Sequence, residues 1–483
     1  MADIGEGRRA AWALAVPLAL VAFHRGFVLR LGGTPLGMIT LPESALYAAV
    51  LAIVVDRRSG GVLPAVVGPR LRLTWLMFLA CAVVSFAVHP TGFGIAALAR
   101  LVTVGVVVSE AARQIRIGRW HPITVPLASA MVVQAGIAIV QRIHGGPLGL
   151  VALGERRSGF KPLGSALLPA GTTVHTNTLG LYGVAVAALI VAATVDRSTR
   201  GDGLVSLRRG VIAIELGGLL ACGACVGLTG SRTAAIALAL LLGAAGYRLR
   251  SRRDAALARA VGAVTLAVAV TAIASASVWI GRAQQTSGAS IEQLSSGRMA
   301  LIRQSLAVFR LSPITGVGPG NYLVHVLLDP AIIRYSHEGA PVHNVWLSVL
   351  ATYGLLGIAA FVVLTGVLFG AGRRAGIVGA LIGLPALVTL GLDVATTISP
   401  GFLLLAVSIG AVVGAGRAPL GESQSQGQSR AIREPPSPAR SATDRVDAGA
   451  LRLERLRRQA SVSFPAEWHR QSIFVFATVA TVG

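Results

Sequence analysis

The chain has 483 residues, 54% of them hydrophobic and only 13% charged, with a mean hydropathy of +0.70. That balance excludes an ordinary water-soluble domain, in which about a quarter of the residues are charged, and makes the lipid bilayer the natural solvent. The net charge of +23 would suggest nucleic acid in a soluble protein. Here the arginines sit in short clusters between apolar runs, with no aromatic-rich soluble module beside them, so no nucleic-acid partner is expected.

Apolar runs close to the ~20 residues needed to cross hydrocarbon recur from Ala10 to Gly416. They predict an all-α integral membrane fold of about 12 transmembrane helices. The first, over 11–29, follows Arg8 and Arg9; no small-x-small cleavage site precedes Arg25, so it reads as an uncleaved helix and not a removed signal. Spans follow over 36–55, 73–88, 91–110, 121–140, 177–195, 211–228, 233–247, 261–280, 344–371, 375–392 and 400–416. Arg100 and Glu215 fall inside spans, as expected of a buried ion pair or a cavity lining. Three cysteines cannot build a disulfide framework, and Cys222 and Cys225, within a predicted span, read as small packing residues.

Charge orients the threading. With the amino terminus in the cytoplasm, twenty basic residues before the tail fall on the cytoplasmic side and twelve on the outer side, among them Arg25, Arg142, Arg232, Arg298 and Lys161. The outer ones run against the rule and call for a separate reason. Two outer loops are long, about 141–176 and 281–343, and long loops in a compact architecture tend to be functional. From Ser296 the second is predicted to be helical, with Met299, Ile302, Leu306 and Phe309 forming an apolar stripe. Residues 1–416 thus read as one membrane domain with a long, partly helical outer loop, 281–343, between helices 9 and 10. Residues 417–483, rich in Ser, Gln, Pro and Arg from Gly421 to Arg440, read as a disordered basic cytoplasmic tail.

Seven of the nine histidines (His24, His89, His144, His175, His325, His337 and His343) fall at or beyond the outer boundary. His343 stands out because it precedes Asn344, a natural helix cap, at the entrance of the tenth span. A neutral imidazole there suits proton acceptance from a hydroxyl; a structural helix-entry role is the alternative. Upstream runs GVGPGNY, Gly316 to Tyr322. It is not a dinucleotide fingerprint, and two readings stand: main-chain N–H groups of Gly318, Gly320 and Asn321 presented to phosphate or sugar, or a bare tight turn. Arg232, in LTGSRTAA between spans seven and eight, is costly near hydrocarbon unless it snorkels or meets an anion, and a guanidinium fork matches two diphosphate oxygens at once. The spacing of His325, Asp329, His337 and Glu338 matches no standard metal-ligand pattern, so neither a metal nor another cofactor is expected.

The segments LTGSRTAAIALAL (228–240), SGRMALIRQSLAVFRLSPITGVGPGNY (296–322) and HNVWLSVLATYGLLG (343–357) together resemble the O-antigen ligase and polymerase superfamily. GTTVHTNTLGLY (171–182) is similar to that family's segment ahead of the sixth span and brings His175 into the candidate set. The resemblance, over about 150–415, implies a bacterial inner-membrane glycosyltransferase of the C type with its active site on the outer face and both termini cytoplasmic. It implies a donor glycan on undecaprenyl diphosphate, a glycan or lipid-glycan acceptor, inversion, and no metal. It assigns Arg232 and Arg298 to the donor diphosphate and His343 to the acceptor, with Gly318, Gly320, Asn321, Asn344 and His175 as further substrate contacts. Ile302 stands where the family commonly has an aromatic residue. Ligase and polymerase stay open between them, and a lipid-linked glycan flippase is the competing class; that class calls for internal repeats and a polar path through the spans, and none is visible.

Overall fold

The computed structural model describes residues 12–31, 34–59, 67–155, 162–163, 166–173, 175–200, 209–284, 298–333, 343–392 and 401–416. The tail 417–483, with its expected disorder, and His337, Glu338 and Lys161 lie outside the described residues.

The amino-terminal end departs from the expected pair of spans over 11–29 and 36–55. Among the described residues helix α1 covers 12–19, and an antiparallel hairpin follows, β1 (Gly26–Leu31) and β2 (Thr34–Thr40). Leu31 pairs with Thr34 at the end of the ladder. The register slips between Leu29 and Arg30, whose partners are Gly37 and Pro35. Proline has no N–H for the ladder, and the bulge falls beside it. Helix α2 (Leu41–Ser59) begins directly after the hairpin.

From there the elements among the described residues are helical apart from one further hairpin of two-residue strands, β3 (Pro162–Leu163) with β4 (Ala166–Leu167). The long helices are α3 (Pro69–Val88), α4 (Gly92–Arg116), α5 (His121–His144), α6 (Thr176–Arg200), α7 (Arg209–Thr229), α8 (Arg232–Ser251) and α9 (Ala255–Ala274). Short helices α10 (Ala276–Gln284), α11 (Arg298–Leu311), α12 (Tyr322–Leu328) and α13 (Pro330–Ile333) come next, then α14 (Val345–Arg374), α15 (Ile377–Leu392) and α16 (Gly401–Ala415). Thr91, Ser231, Asp254 and Asn344 each cap a helix by accepting a first-turn amide. Among the described residues eight helices (α3 to α9 and α14) are long and apolar enough to cross a membrane, and α15 and α16 are shorter apolar helices.

Helix α6 is the hub, with 89% of its apolar window buried; a helix apolar on all faces belongs in the centre of a bundle. It packs against α5, α7, α8, α9, α15 and α16. The periphery is apolar too: Leu266 is 60% and Ile273 76% exposed on α9, and Phe369 is 63% exposed on α14. Such side chains suit contact with acyl chains and not water, which makes the chain a multi-pass membrane protein.

Successive helices alternate in direction, so the bundle has two ends. At the arginine end, Glu215 receives two hydrogen bonds from Arg197 Nη2 at 2.8 and 2.9 Å and one from Thr124 Oγ1 at 2.6 Å. Asp196 beside it accepts from Trp120 Nε1 at 2.8 Å and Arg200 Nε at 2.9 Å. Glu215 is therefore one half of a buried ion pair locking α5, α6 and α7, and Arg197, read from the sequence as a cytoplasmic loop residue, is the other half. Arg100 pairs with buried Glu43 of α2. Cys222 and Cys225 are buried free thiols in the helix core. His24, expected to face outward, is only 7% exposed and stacks 5.6 Å from the Tyr182 ring.

Candidate functional site

The opposite end gathers the residues singled out from the sequence. Thr229 closes α7 and Arg232 opens α8, with two residues between them. Gly230 takes φ +58, and a Cβ there would lie 2.5 Å from Val278; only glycine makes this turn against α10. Ser231 Oγ accepts from Ala234 N at 3.3 Å, so Arg232 is the first helical residue. Arg298, the first residue of α11, donates from Nη2 to Thr233 Oγ1 at 3.0 Å. Arg298, 66 positions from Arg232 in sequence, is thus tied to the first turn of the helix that Arg232 opens, where the backbone dipole already favours an anion. Thr233 is a site residue that the sequence did not flag, because a threonine in the first turn of a helix is unremarkable there.

Helix α11 forms as expected, two residues later than Ser296, but its buried face is not the predicted stripe. The buried residues are Leu301, Gln304, Ser305 and Val308, whereas Leu306 is 37% exposed. Gln304 Nε2 donates to Tyr322 Oη at 3.3 Å and Ser305 Oγ to the Leu347 carbonyl at 3.1 Å. Two polar side chains turn inward because each finds a partner there, and hydrophobicity alone therefore misplaces the face. Burial pushes the Tyr322 phenol up to about 12. Arg303 and Arg310 stay exposed.

The glycine-rich segment docks α11 and α12 onto a break in α14. Gly354 has φ 64 and ψ −160 in the middle of α14, and a Cβ there would lie 2.3 Å from the Ile314 carbonyl. The hydrogen bonds that the broken helix loses are replaced by the loop. Val317 N and Gly318 N donate to the Ala351 and Thr352 carbonyls at 3.1 and 3.0 Å, and Leu355 N and Leu356 N donate back to Pro313 and Ile314 at 2.9 and 3.2 Å. Asn321 Nδ2 donates to the carbonyls of His89 and Val317 at 3.2 and 3.0 Å, and its Oδ1 accepts from Thr91 Oγ1 at 2.6 Å. A Cβ at Gly320 would meet the Phe93 backbone at 2.7 Å. Of the two readings, the geometry favours the tight turn: the Gly318 amide and the Asn321 side chain already serve the protein.

Asn344 caps α14 by accepting from Leu347 N at 3.1 Å, and its Nδ2 donates to the Gly391 carbonyl at the end of α15 at 3.0 Å. Helix α15 packs along α8 and runs opposite to it, so its last turn lies at the Arg232 end. His343, half-buried, immediately precedes the cap. His175 caps α6 instead of standing apart: its Nδ1 accepts from Asn177 N at 3.1 Å, which leaves the proton on Nε2. The start of α6 touches the same α7–α8 turn, since a Cβ at Gly180 would lie 2.8 Å from Thr229 Oγ1 and 3.3 Å from Ser231 Cβ.

The loop ahead of α6 is held by buried amides acting as surrogate backbone. Gln134 exchanges hydrogen bonds with Thr172 at 2.7 and 3.0 Å, and Gln141 exchanges two with Gly171, both at 2.9 Å. Glu155 accepts from Gln141 Nε2 and from the amides of Leu148 and Leu150. None of these was legible as a site feature: a glutamine inside an apolar run gives no hint of which backbone it serves.

A comparison with protein-family models matches residues 216–362 to the model Wzy_C, described as O-Antigen ligase. The matched stretch contains Arg232, Arg298, the glycine-rich segment, His343 and Asn344, and leaves out His175 and helices α1 to α6. No curated protein matches the chain. Over 216–362, about a third of its length, the chain is similar to the O-antigen ligase model, and that match supports its place in the O-antigen ligase superfamily.

Proposed function

We propose that this protein transfers a glycan from an undecaprenyl-diphosphate carrier to an acceptor hydroxyl on the outer face of the bacterial cytoplasmic membrane. An O-antigen ligase-like role in polysaccharide biosynthesis follows from the family match; the donor, the reaction and the side of the membrane are our reading. The observation that carries it is the hydrogen bond from Arg298 to Thr233 in the first turn of α8, the helix that Arg232 opens. That is an arrangement suited to a diphosphate without a metal ion.

In this reading the acceptor oxygen attacks the anomeric carbon as the bond to the diphosphate oxygen breaks, with inversion. Arg232 and Arg298 take up the charge that develops on the leaving diphosphate. The acceptor proton passes to His343, held beside the Asn344 cap. The arginine end faces the cytoplasm and the site end faces outward, as the positive-inside rule directs.

The test is reconstitution with undecaprenyl-diphosphate glycan and candidate acceptors. Wild type should form a new glycosidic bond, and His343→Ala and Arg298→Ala should each lose most of the rate. Wild-type transfer in both variants removes the site assignment, and movement of the lipid-linked glycan without a new bond favours a flippase. One product band indicates a ligase and a ladder of repeats a polymerase.

A further inference from the structure

Far from that site, at the arginine end, a cavity of about 540 Å³ opens between the start of α3, the last turns of α14 and the end of α16. Its walls are apolar or bare, from Val363, Gly366, Val367 and Val413, and its mouth carries Arg70 and Arg374. Both arginine side chains are exposed and neither makes a hydrogen bond or ion pair among the described residues. The mouth is also the amino terminus of α3, a 20-residue helix whose cap, Gly68, supplies no side-chain bond and whose first residue is Pro69. First-turn amides there are left for an anion.

We propose that this groove binds an anionic phospholipid, with its phosphate between Arg70, Arg374 and the start of α3 and an acyl chain along the small-residue face of α14. Three features converge on phosphate: two guanidinium forks, a helix amino terminus, and a place among the basic clusters of one bundle end. The apolar walls select a lipid over a soluble phosphate, because a free anion gains nothing from Val363, Val367 and Val413. Glycine at 366 keeps the chain path open; a Cβ there would have no neighbour within 4 Å. The lipid would join α3, α14 and α16, three helices that meet at this end.

The full chain in nanodiscs of phosphatidylcholine with a minor fraction of phosphatidylglycerol, read by native mass spectrometry, tests this. Wild type should retain one phosphatidylglycerol in preference to phosphatidylcholine. Each basic side chain near a membrane surface strengthens anionic-lipid binding about fivefold, so Arg70→Gln with Arg374→Gln should weaken retention roughly 25-fold. Arg248→Gln with Arg250→Gln, two charges removed at the same end but outside the groove, should leave it unchanged. Gly366→Leu fills the chain path with every charge intact and should also lower retention. Equal losses in the two arginine pairs, equal retention of phosphatidylcholine, or displacement by soluble glycerol phosphate at matched concentration would each overturn the proposal.

Discussion

Replacing Thr233 by valine isolates the contact that ties Arg298 to the first turn of α8. Valine keeps the volume and branching of threonine in the first turn of α8, so the helix and its packing are preserved. What it removes is the acceptor for Arg298 Nη2, a bond of 3.0 Å. A hydrogen bond to a charged group contributes about 1.5–3 kcal/mol. Arg298 is half-buried, so solvent screening puts the loss near the lower end, about 1.5 kcal/mol, or roughly tenfold in a binding constant. The lost energy falls on placement of the guanidinium against the donor and not on the proton acceptor. Thr233→Val should therefore raise the apparent KM for the lipid-linked donor about tenfold, with a smaller change in kcat and a wild-type unfolding midpoint. Thr233→Ser restores the hydroxyl and should restore the KM. Initial rates of the reconstituted enzyme at varied donor decide the matter: a Val variant with wild-type KM, or a Ser variant as impaired as Val, refutes the claim that this bond positions Arg298.

Three further outcomes follow from the packing. Gly354→Ala should destabilise the protein by about 2–5 kcal/mol, because positive φ and a Cβ 2.3 Å from the Ile314 carbonyl add backbone strain to a clash; a thermal melt in detergent checks it. Glu215→Ala leaves Arg197 buried and unpaired and should cost about 3–5 kcal/mol, whereas exposed Arg303→Ala should cost almost nothing. The Tyr322 phenol, pushed up to about 12 by burial, holds its proton more tightly folded than unfolded, so its contribution is complete below pH 10 and is lost as pH rises from 10 to 12. Unfolding midpoints across that window should fall in wild type and fall less in Tyr322→Phe.

Much of the helical architecture was legible because hydrocarbon imposes a simple length rule: from α3 to α9, and again at α14, apolar runs of about 20 residues became helices close to where they were expected. The first two spans were misplaced for an identifiable reason. Averaged hydropathy passed over the pairing of Gly26–Leu31 with Thr34–Thr40 and the register slip beside Pro35, which make a bulged hairpin. The face of α11 was misplaced because Gln304 and Ser305 are buried through partners, Tyr322 and Leu347, that no local pattern reveals.

For the candidate site, the chain by itself determined which residue types were out of place: arginines on the side where arginines are disfavoured, a histidine ahead of a capping asparagine, and glycines crowded into seven residues. Those are local anomalies, and local chemistry suffices to notice them. Only tertiary structure decided what each does. It joined Arg298 to the first turn of α8, tied Asn344 to α15, and turned GVGPGNY from a candidate phosphate cradle into the splint for a broken helix. The difference is one of range: a helix is specified by contacts three or four residues apart, whereas these roles rest on bonds between residues 34 to 232 positions apart, which exist only once the bundle has closed.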